Sequence, residues 1–467
     1  MAYEKTLKFM NNKTDLVVNP ATGMVGSIGS QGDRRPDVHQ DGRPGVPADY
    51  TAQVGLLEII GNAATFKLNF YAFLWHALFF AFVSTFIDVN TVLSSFVLNT
   101  GGSSVHVGIL TGIHIGLPLI TQFLFAGFLS GRSRKKPFLL TGIYLRVLAL
   151  AGMGYTLSVS NSSHLGGLLS MIFLWIGIFA VSGAFAGISY TDLMGKIFIG
   201  TQRKNLLIFK QFISATGMLV SVITVRHLII AFPYPENYTV IFFTASLLLF
   251  IAAFGFLMIK EDSIGANDLS GMTKILKSMP RMLKSDKNLL NYILLINMAS
   301  LGITIIPFYV VLSKSIYGLG RNQIGNFLLL QFLGMILSSL IWNWVAKRFK
   351  FKGIFFGFII IGSLLPILAL LLSRHEIAVY QWLFFIAGFS ISAYAISVQG
   401  ILLEITNNDN RAIYAGISGT LSLITAIFPL IAGILIESYG CTLIFTIVSP
   451  LVLTSLFFLK PIKCSTP

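Results

Sequence analysis

Twelve long apolar runs, with basic residues almost confined to every second gap between them, constrain this chain more than any other feature. The runs lie at 69–96, 105–128, 138–158, 165–190, 206–232, 238–259, 289–312, 323–345, 353–372, 380–403, 412–436 and 441–459. Each approaches or exceeds the ~20 residues that carry a helix across a bilayer core. Hydrocarbon offers no water to unpaired backbone groups, so such runs cross as helices. Of the 33 lysines and arginines, 28 fall in the N-terminal segment, the gaps after runs 2, 4, 6, 8 and 10, and the C-terminal tail, counting Lys210 near the cytoplasmic end of run 5. By the positive-inside rule both termini are cytoplasmic. The expectation is an all-α membrane protein with twelve transmembrane helices, multi-pass in the cytoplasmic (inner) membrane.

Charged residues make up 11% and apolar residues 55% of the chain, far from a soluble composition. The formal charge of +15 sits mostly in the tails and short cytoplasmic loops. Orientation and contact with anionic membrane lipids account for it there, and nucleic-acid binding does not. Cys441 and Cys464 fall near opposite faces and cannot pair, and no metal-ligand spacing or cofactor motif occurs. Residues 1–65 lack the early apolar region of a cleaved signal peptide, which leaves the first run as the insertion signal.

Residues 1–67 read as a disordered or interfacial cytoplasmic tail. Glycine, proline, aspartate and arginine dominate between Pro20 and Tyr50, too little apolar surface to fold. Val54 to Phe66 is mildly apolar, suited to a short helix along the inner interface. The longest internal gap, 260–288, places Lys274, Lys277, Arg281 and Lys284 beside Ile275, Leu276, Met279, Met282 and Leu283, an amphipathic surface helix. It divides the spans into bundles at 68–259 and 289–460, with a short tail at 461–467. The halves echo each other. Gly127 to Lys136 follows run 2 as Asn343 to Lys352 follows run 8, and Gln202–Leu206 matches Asn410–Tyr414. Internal duplication marks secondary transporters, with the substrate site between repeats.

At these residues the chain resembles the major facilitator superfamily. The signature after the second span reads Gly-x-Leu-(Ser/Ala)-Asp-Arg-x-Gly-Arg-(Arg/Lys), and Gly127, Leu129, Ser130, Arg132, Lys135 and Lys136 fit it. Gly131 stands at the aspartate position and Arg134 at the second glycine. In that family the aspartate helps latch two bundles together on the cytoplasmic side. The echo keeps Arg348, Phe349 and Lys352, with Lys347 at the acidic place. Phe428 to Gly433, with Gly440, also resembles the family's eleventh span. The resemblance covers about residues 69–459. It implies two pseudo-symmetric six-helix bundles, and a gating loop at Arg132, Lys135, Lys136, Arg348 and Lys352. The Gly-Pro dipeptide common in the fifth span of drug–proton antiporters is missing from Phe209 to Met218.

Polar groups within the runs are the candidate site residues, because a charge in hydrocarbon costs at least a few kcal/mol. Asp88 suits either a protonation or substrate-amine site or a structural cap at the outer interface. Arg146 suits either an anionic substrate or a structural pair with Asp192 or a helix carbonyl. His76 and His114, near mid-membrane, suit proton relay or helix-to-helix hydrogen bonds. Gln122, Asn297, Gln331, Tyr394 and Gln399 suit ligand orientation or helix association. Lys210, Asp192 and Glu404, at cytoplasmic helix ends, read as snorkelling groups or gate salt bridges. Gly183 with Gly187, and Gly112, Gly116 and Pro118, suit close packing or bending. The forty phenylalanines read as lipid-facing bulk.

No phosphate loop, zinc-protease motif or nucleophile elbow appears, which argues against an enzyme. The expected function is a monomeric secondary active transporter. It moves a small solute by alternating access, with proton coupling through Asp88 or a histidine as one route. The alternative is a transporter-like receptor or assembly factor without solute flux.

Overall fold

The computed structural model describes residues 16–18, 25–27, 48–130, 132–160, 165–198, 200–261, 279–406 and 411–463. Most of the expected disordered tail, and the linker residues Lys274, Ile275, Leu276 and Lys277, lie outside them. The chain forms two compact units, Met1–Gly61 and Asn62–Pro467. In the first, strands Leu16–Val18 and Val25–Ser27 pair antiparallel, with Leu16 opposite Ser27.

The second unit is helical. Eleven helices among the described residues are long and apolar enough to cross a membrane. One of them, Arg321–Leu372, has 52 residues, ~78 Å of helix or more than two bilayer cores. It kinks at Lys350, whose φ of 56° and ψ of −165° leave the helical region, and this divides it into spans 8 and 9. The others are span 1, Thr65–Asn99; span 2, Ser104–Gln122; span 3, Lys136–Val159; span 4, Gly167–Ile197; span 5, Asn205–Ala231; and span 6, Glu236–Leu257. Span 7, Lys287–Tyr317, span 10, Ile377–Ile405, span 11, Tyr414–Tyr439, and span 12, Cys441–Leu459, complete the twelve. They make two six-helix bundles.

The duplication is visible in hydrogen bonds as well as in sequence. Asn69, at the start of span 1, exchanges two bonds with the backbone of Lys260, just after span 6. Asn288, at the start of span 7, does the same with Lys463 after span 12. Lys136 Nζ donates to the carbonyls of Leu257 and Ile259, and Lys352 Nζ to those of Lys460 and Ile462. Helix C-termini leave carbonyls without intrahelical partners, and a lysine ammonium is a natural cap. Each bundle therefore closes its first span and third span onto its last by the same chemistry.

Spans 1 and 7 also break at matching depth, nineteen residues past their asparagines, at Asp88 and Pro307. Asp88 accepts from the Thr91 backbone N–H at 2.9 Å and the Thr91 hydroxyl at 2.7 Å, and so caps a π-helical turn over Val89–Leu93. Span 2 holds a second π turn, Gly112–Gly116. Glycine permits the closest crossings. A Cβ on Gly334 would lie 2.1 Å from the Phe385 carbonyl oxygen, and one on Gly388 2.2 Å from that of Gln331, so spans 8 and 10 touch backbone to backbone.

Some of the phenylalanines are core and not lipid-facing bulk. Phe73, Phe86, Phe96, Phe198, Phe242 and Phe256 are wholly buried. Phe73 meets Phe198 and Phe256 edge to face, as Phe96 meets Phe242 and Tyr190 meets Phe256, the geometry favoured by ring quadrupoles.

Candidate functional site

A cavity of about 290 Å³ opens within the first bundle, among spans 1, 3, 4 and 5. Span 1 contributes His76, Ala77, Phe80, Ala81 and Ser84; span 3 contributes Leu139, Ile143 and Arg146. Span 4 adds Gly183, Ala186, Gly187 and Tyr190, and span 5 adds Lys210, Ser214 and Met218. The helical repeat explains the set. Residues four and seven apart share a face, so His76, Phe80 and Ser84 line span 1 as Gly183, Gly187 and Tyr190 line span 4.

The Arg146 guanidinium carbon lies 4.1 Å from the Phe179 ring centroid and 5.0 Å from that of Phe80. Its Nε is sealed from solvent and has no hydrogen-bond partner. Lys210 Nζ sits 4.7 Å from the centroid of Tyr190, whose buried hydroxyl is also unpartnered. The His76 ring packs on Phe80, Tyr190 and Phe256. His114 stacks parallel on the far reach of the same aromatic group, 6.2 Å from Phe179, with a buried, unpartnered Nδ1. Aromatic faces hold cations electrostatically without neutralising them.

Arg146 does not pair with Asp192. That carboxylate takes Lys135 Nζ at 3.2 Å instead. Lys210, ~8 Å past the start of span 5 at Asn205, faces the cavity. Gly183 and Gly187 form cavity wall. A Cβ on Gly183 would meet the Arg146 Nε at 3.4 Å, and one on Gly187 would meet nothing within 4 Å.

Other candidates lie elsewhere. Asp88 accepts from Gln331 Nε2 of span 8 at 3.1 Å, which joins the bundles at the face opposite the basic loops. More links cluster there. Ser104 Oγ donates to Glu437 at 2.5 Å and to the Gly433 carbonyl at 3.0 Å. Lys314 Nζ donates to the Leu98 carbonyl, Arg226 Nε to Asn326 Oδ1, and Arg321 to the Ile230 carbonyl. Spans 2 and 11 meet so closely that a Cβ on Gly116 would lie 2.4 Å from Ala426 Cα.

Asn297 is committed within its own bundle. It donates to the Ile293 and Leu421 carbonyls and accepts from the Ile424 N–H, and so spans the break in span 11 between Thr420 and Leu423. Tyr394 packs on Phe358, with ring centroids 5.0 Å apart. Gln122 and Gln399 are exposed.

The gating loops bind their own bundles. Lys135 is only 4% exposed, and its Nζ donates to the Leu129 carbonyl as well as pairing with Asp192. Glu261 accepts from the backbone N–H groups of Lys135 and Lys136 and pairs with Lys196 at 3.7 Å. Asp192 and Glu261 thus supply the carboxylates that Gly131 does not. Arg132 lies over Phe128, and Arg348 over Phe349. The sequence reading missed Lys210, Tyr190 and Glu261. A lysine interrupting Leu206–Phe212 was the available signal for the first.

Residues 292–463 match the family model of the Major Facilitator Superfamily. No curated protein matches the chain in sequence. Among solved structures, the nucleoside transporter NupG is 12% identical with a TM-score of 0.61, over 85% of this chain and 99% of that one. The inward-open xylose transporter XylE from E. coli is 15% identical with a TM-score of 0.61, over 86% and 97%. A POT family transporter in complex with 5-aminolevulinic acid is 11% identical with a TM-score of 0.62, over 85% and 96%. At these identities the likeness is one of fold. Over residues 292–463 the sequence matches the Major Facilitator Superfamily model, and over both bundles the fold is similar to that of solved transporters.

Proposed function

We propose that the protein is a secondary active transporter that carries a small solute across the cytoplasmic membrane by alternating access. The observation that carries this reading is the placement of its inter-bundle bonds. Asp88–Gln331, Ser104–Glu437, Lys314–Leu98, Arg226–Asn326 and Arg321–Ile230 all lie toward the face opposite the basic loops. A polar-lined cavity lies inside the first bundle. Two bundles clasped at one face and able to rock about a buried site form a transport cycle. With the basic loops in the cytoplasm, this is a conformation closed to the outside, and both termini are cytoplasmic.

Asp88 is the gate member whose charge matters. Its carboxylate only accepts, from Thr91 and from Gln331 of the other bundle. Protonating it removes acceptor capacity at the clasp, which offers a route from a proton gradient to gate opening. The test is counterflow into proteoliposomes with and without an imposed pH gradient, for wild type and Asp88→Asn. Gradient-driven uptake lost in the variant while counterflow persists supports coupling through Asp88. Full gradient-driven uptake in Asp88→Asn removes that role, and a chain that never moves solute removes the transporter reading.

A further inference from the structure

We infer that the cavity around Arg146 and Lys210 takes a small organic anion, which supplies the counter-charge that the protein withholds; this rests on the transporter reading above. Two long basic side chains reach one cavity of about 290 Å³. None of its lining residues is Asp or Glu. Among the described residues neither cation has an ion-pair partner, since the pairs formed are Lys135–Asp192 and Lys196–Glu261. Arg146 lies over the rings of Phe80 and Phe179, and Lys210 over that of Tyr190. Those contacts fix the heads in place but leave their hydrogen-bonding capacity unused, with Arg146 Nε and the Tyr190 hydroxyl unpartnered.

A buried charge is normally paired or hydrogen-bonded, because leaving it alone is expensive. Two unpaired cations facing one space are tolerable if that space receives negative charge. Guanidinium presents a fork that matches carboxylate or phosphate oxygens, and a lysine adds a second point charge. Much of the remaining wall is apolar, including Ala81, Leu139, Ile143 and Met218, beside the polar His76, Ser84 and Ser214, which suits a compact organic body behind the anionic head. The volume, about ten waters' worth of liquid, favours a small molecule. Sugars and nucleosides, the cargo named for two of the similar folds, want several neutral amide partners, and the wall carries no Asn or Gln.

The test uses the full-length protein in lipid nanodiscs, with thermal unfolding and calorimetric titration as readouts. The probes are lactate and benzoate as carboxylates, glycerol 3-phosphate as a phosphate ester, and benzamide, glycerol and xylose as neutral counterparts. At millimolar concentration one or more of the anions raises the melting temperature by mass action, and the neutral probes do not. The responding arm separates carboxylate from phosphate. Arg146→Gln and Lys210→Gln each weaken that binding roughly ten- to hundredfold, the range for a charged hydrogen bond. Ligand-free, both variants melt at or above the wild-type temperature, because they remove an uncompensated charge. A structural ion pair would give the opposite shift.

Silence from every anion, or binding unchanged by both substitutions, overturns the inference. Xylose or glycerol binding in place of the anions also overturns it and leaves the transporter reading standing. Anion binding that depends on Arg146, without flux in proteoliposomes, would keep the site and remove the transport.

Discussion

Asn297 and Glu261 show how much a single polar side chain does inside this fold. Asn297 uses both amide hydrogens and its carbonyl, the last to hold the Ile424 N–H where span 11 is interrupted. Asn297→Ala leaves that buried N–H unsatisfied, a loss of about 1–3 kcal/mol that should appear as a lower melting temperature with the solute site intact. Glu261 is equally committed, and it is only 4% exposed in its pair with Lys196. Glu261→Ala strips the acceptor from two backbone N–H groups and leaves Lys135 and Lys136 less firmly set. Faster proteolysis of the loop between spans 2 and 3 is the expected outcome. Arg146 belongs to neither kind, because its nitrogen is buried and unused.

At the scale of elements, glycine decides where helices touch and where they stand apart. Spans 8 and 10 meet at Gly334 and Gly388, where a Cβ would come within 2.2 Å of a backbone oxygen. A backbone clash cannot be relieved by a rotamer change, so Gly334→Ala or Gly388→Ala should abolish the monodisperse peak in size-exclusion chromatography. Gly187→Ala meets nothing within 4 Å and should leave the same profile unchanged, which controls for helix propensity. Both kinds of glycine look alike in the sequence. The break at Lys350 is a further case. The basic stretch between runs 8 and 9 reads as a loop, yet helix continues on either side and one residue with positive φ turns the chain.

For the whole molecule, the proposed alternating access makes the clasp at the face opposite the basic loops the part that must open. Arg226 of span 5 and Asn326 of span 8 bond at 3.2 Å across it. Cysteines at these two positions, with Cys441 and Cys464 changed to serine, should join through a short thiol cross-linker. Alternating access requires this face to open, so cross-linking should stop solute flux and reduction of a cleavable linker should restore it. Flux that continues through a quantitatively cross-linked protein would show that the bundles do not part there. The repeated clamps of Asn69 with Lys260 and Asn288 with Lys463 tie the first span of each bundle to its last.

The sequence by itself determined the twelve crossings, the expected sidedness and the two halves. Hydrocarbon demands long apolar helices, and loop charge biases which way they insert. It also marked Arg146 and Asp88 as costly, since a charge inside an apolar run is anomalous wherever the helix lies. What it could not carry was the partner of each charge. That depends on how far a helix is rotated and which neighbour it meets. Asp192 reads as a partner for Arg146 and instead holds Lys135; Lys210 reads as a helix end and instead faces a cavity. Only the packed bundle brings residues from four spans around one space and leaves two cations there unpaired, because contact between helices is set by packing and not by order along the chain.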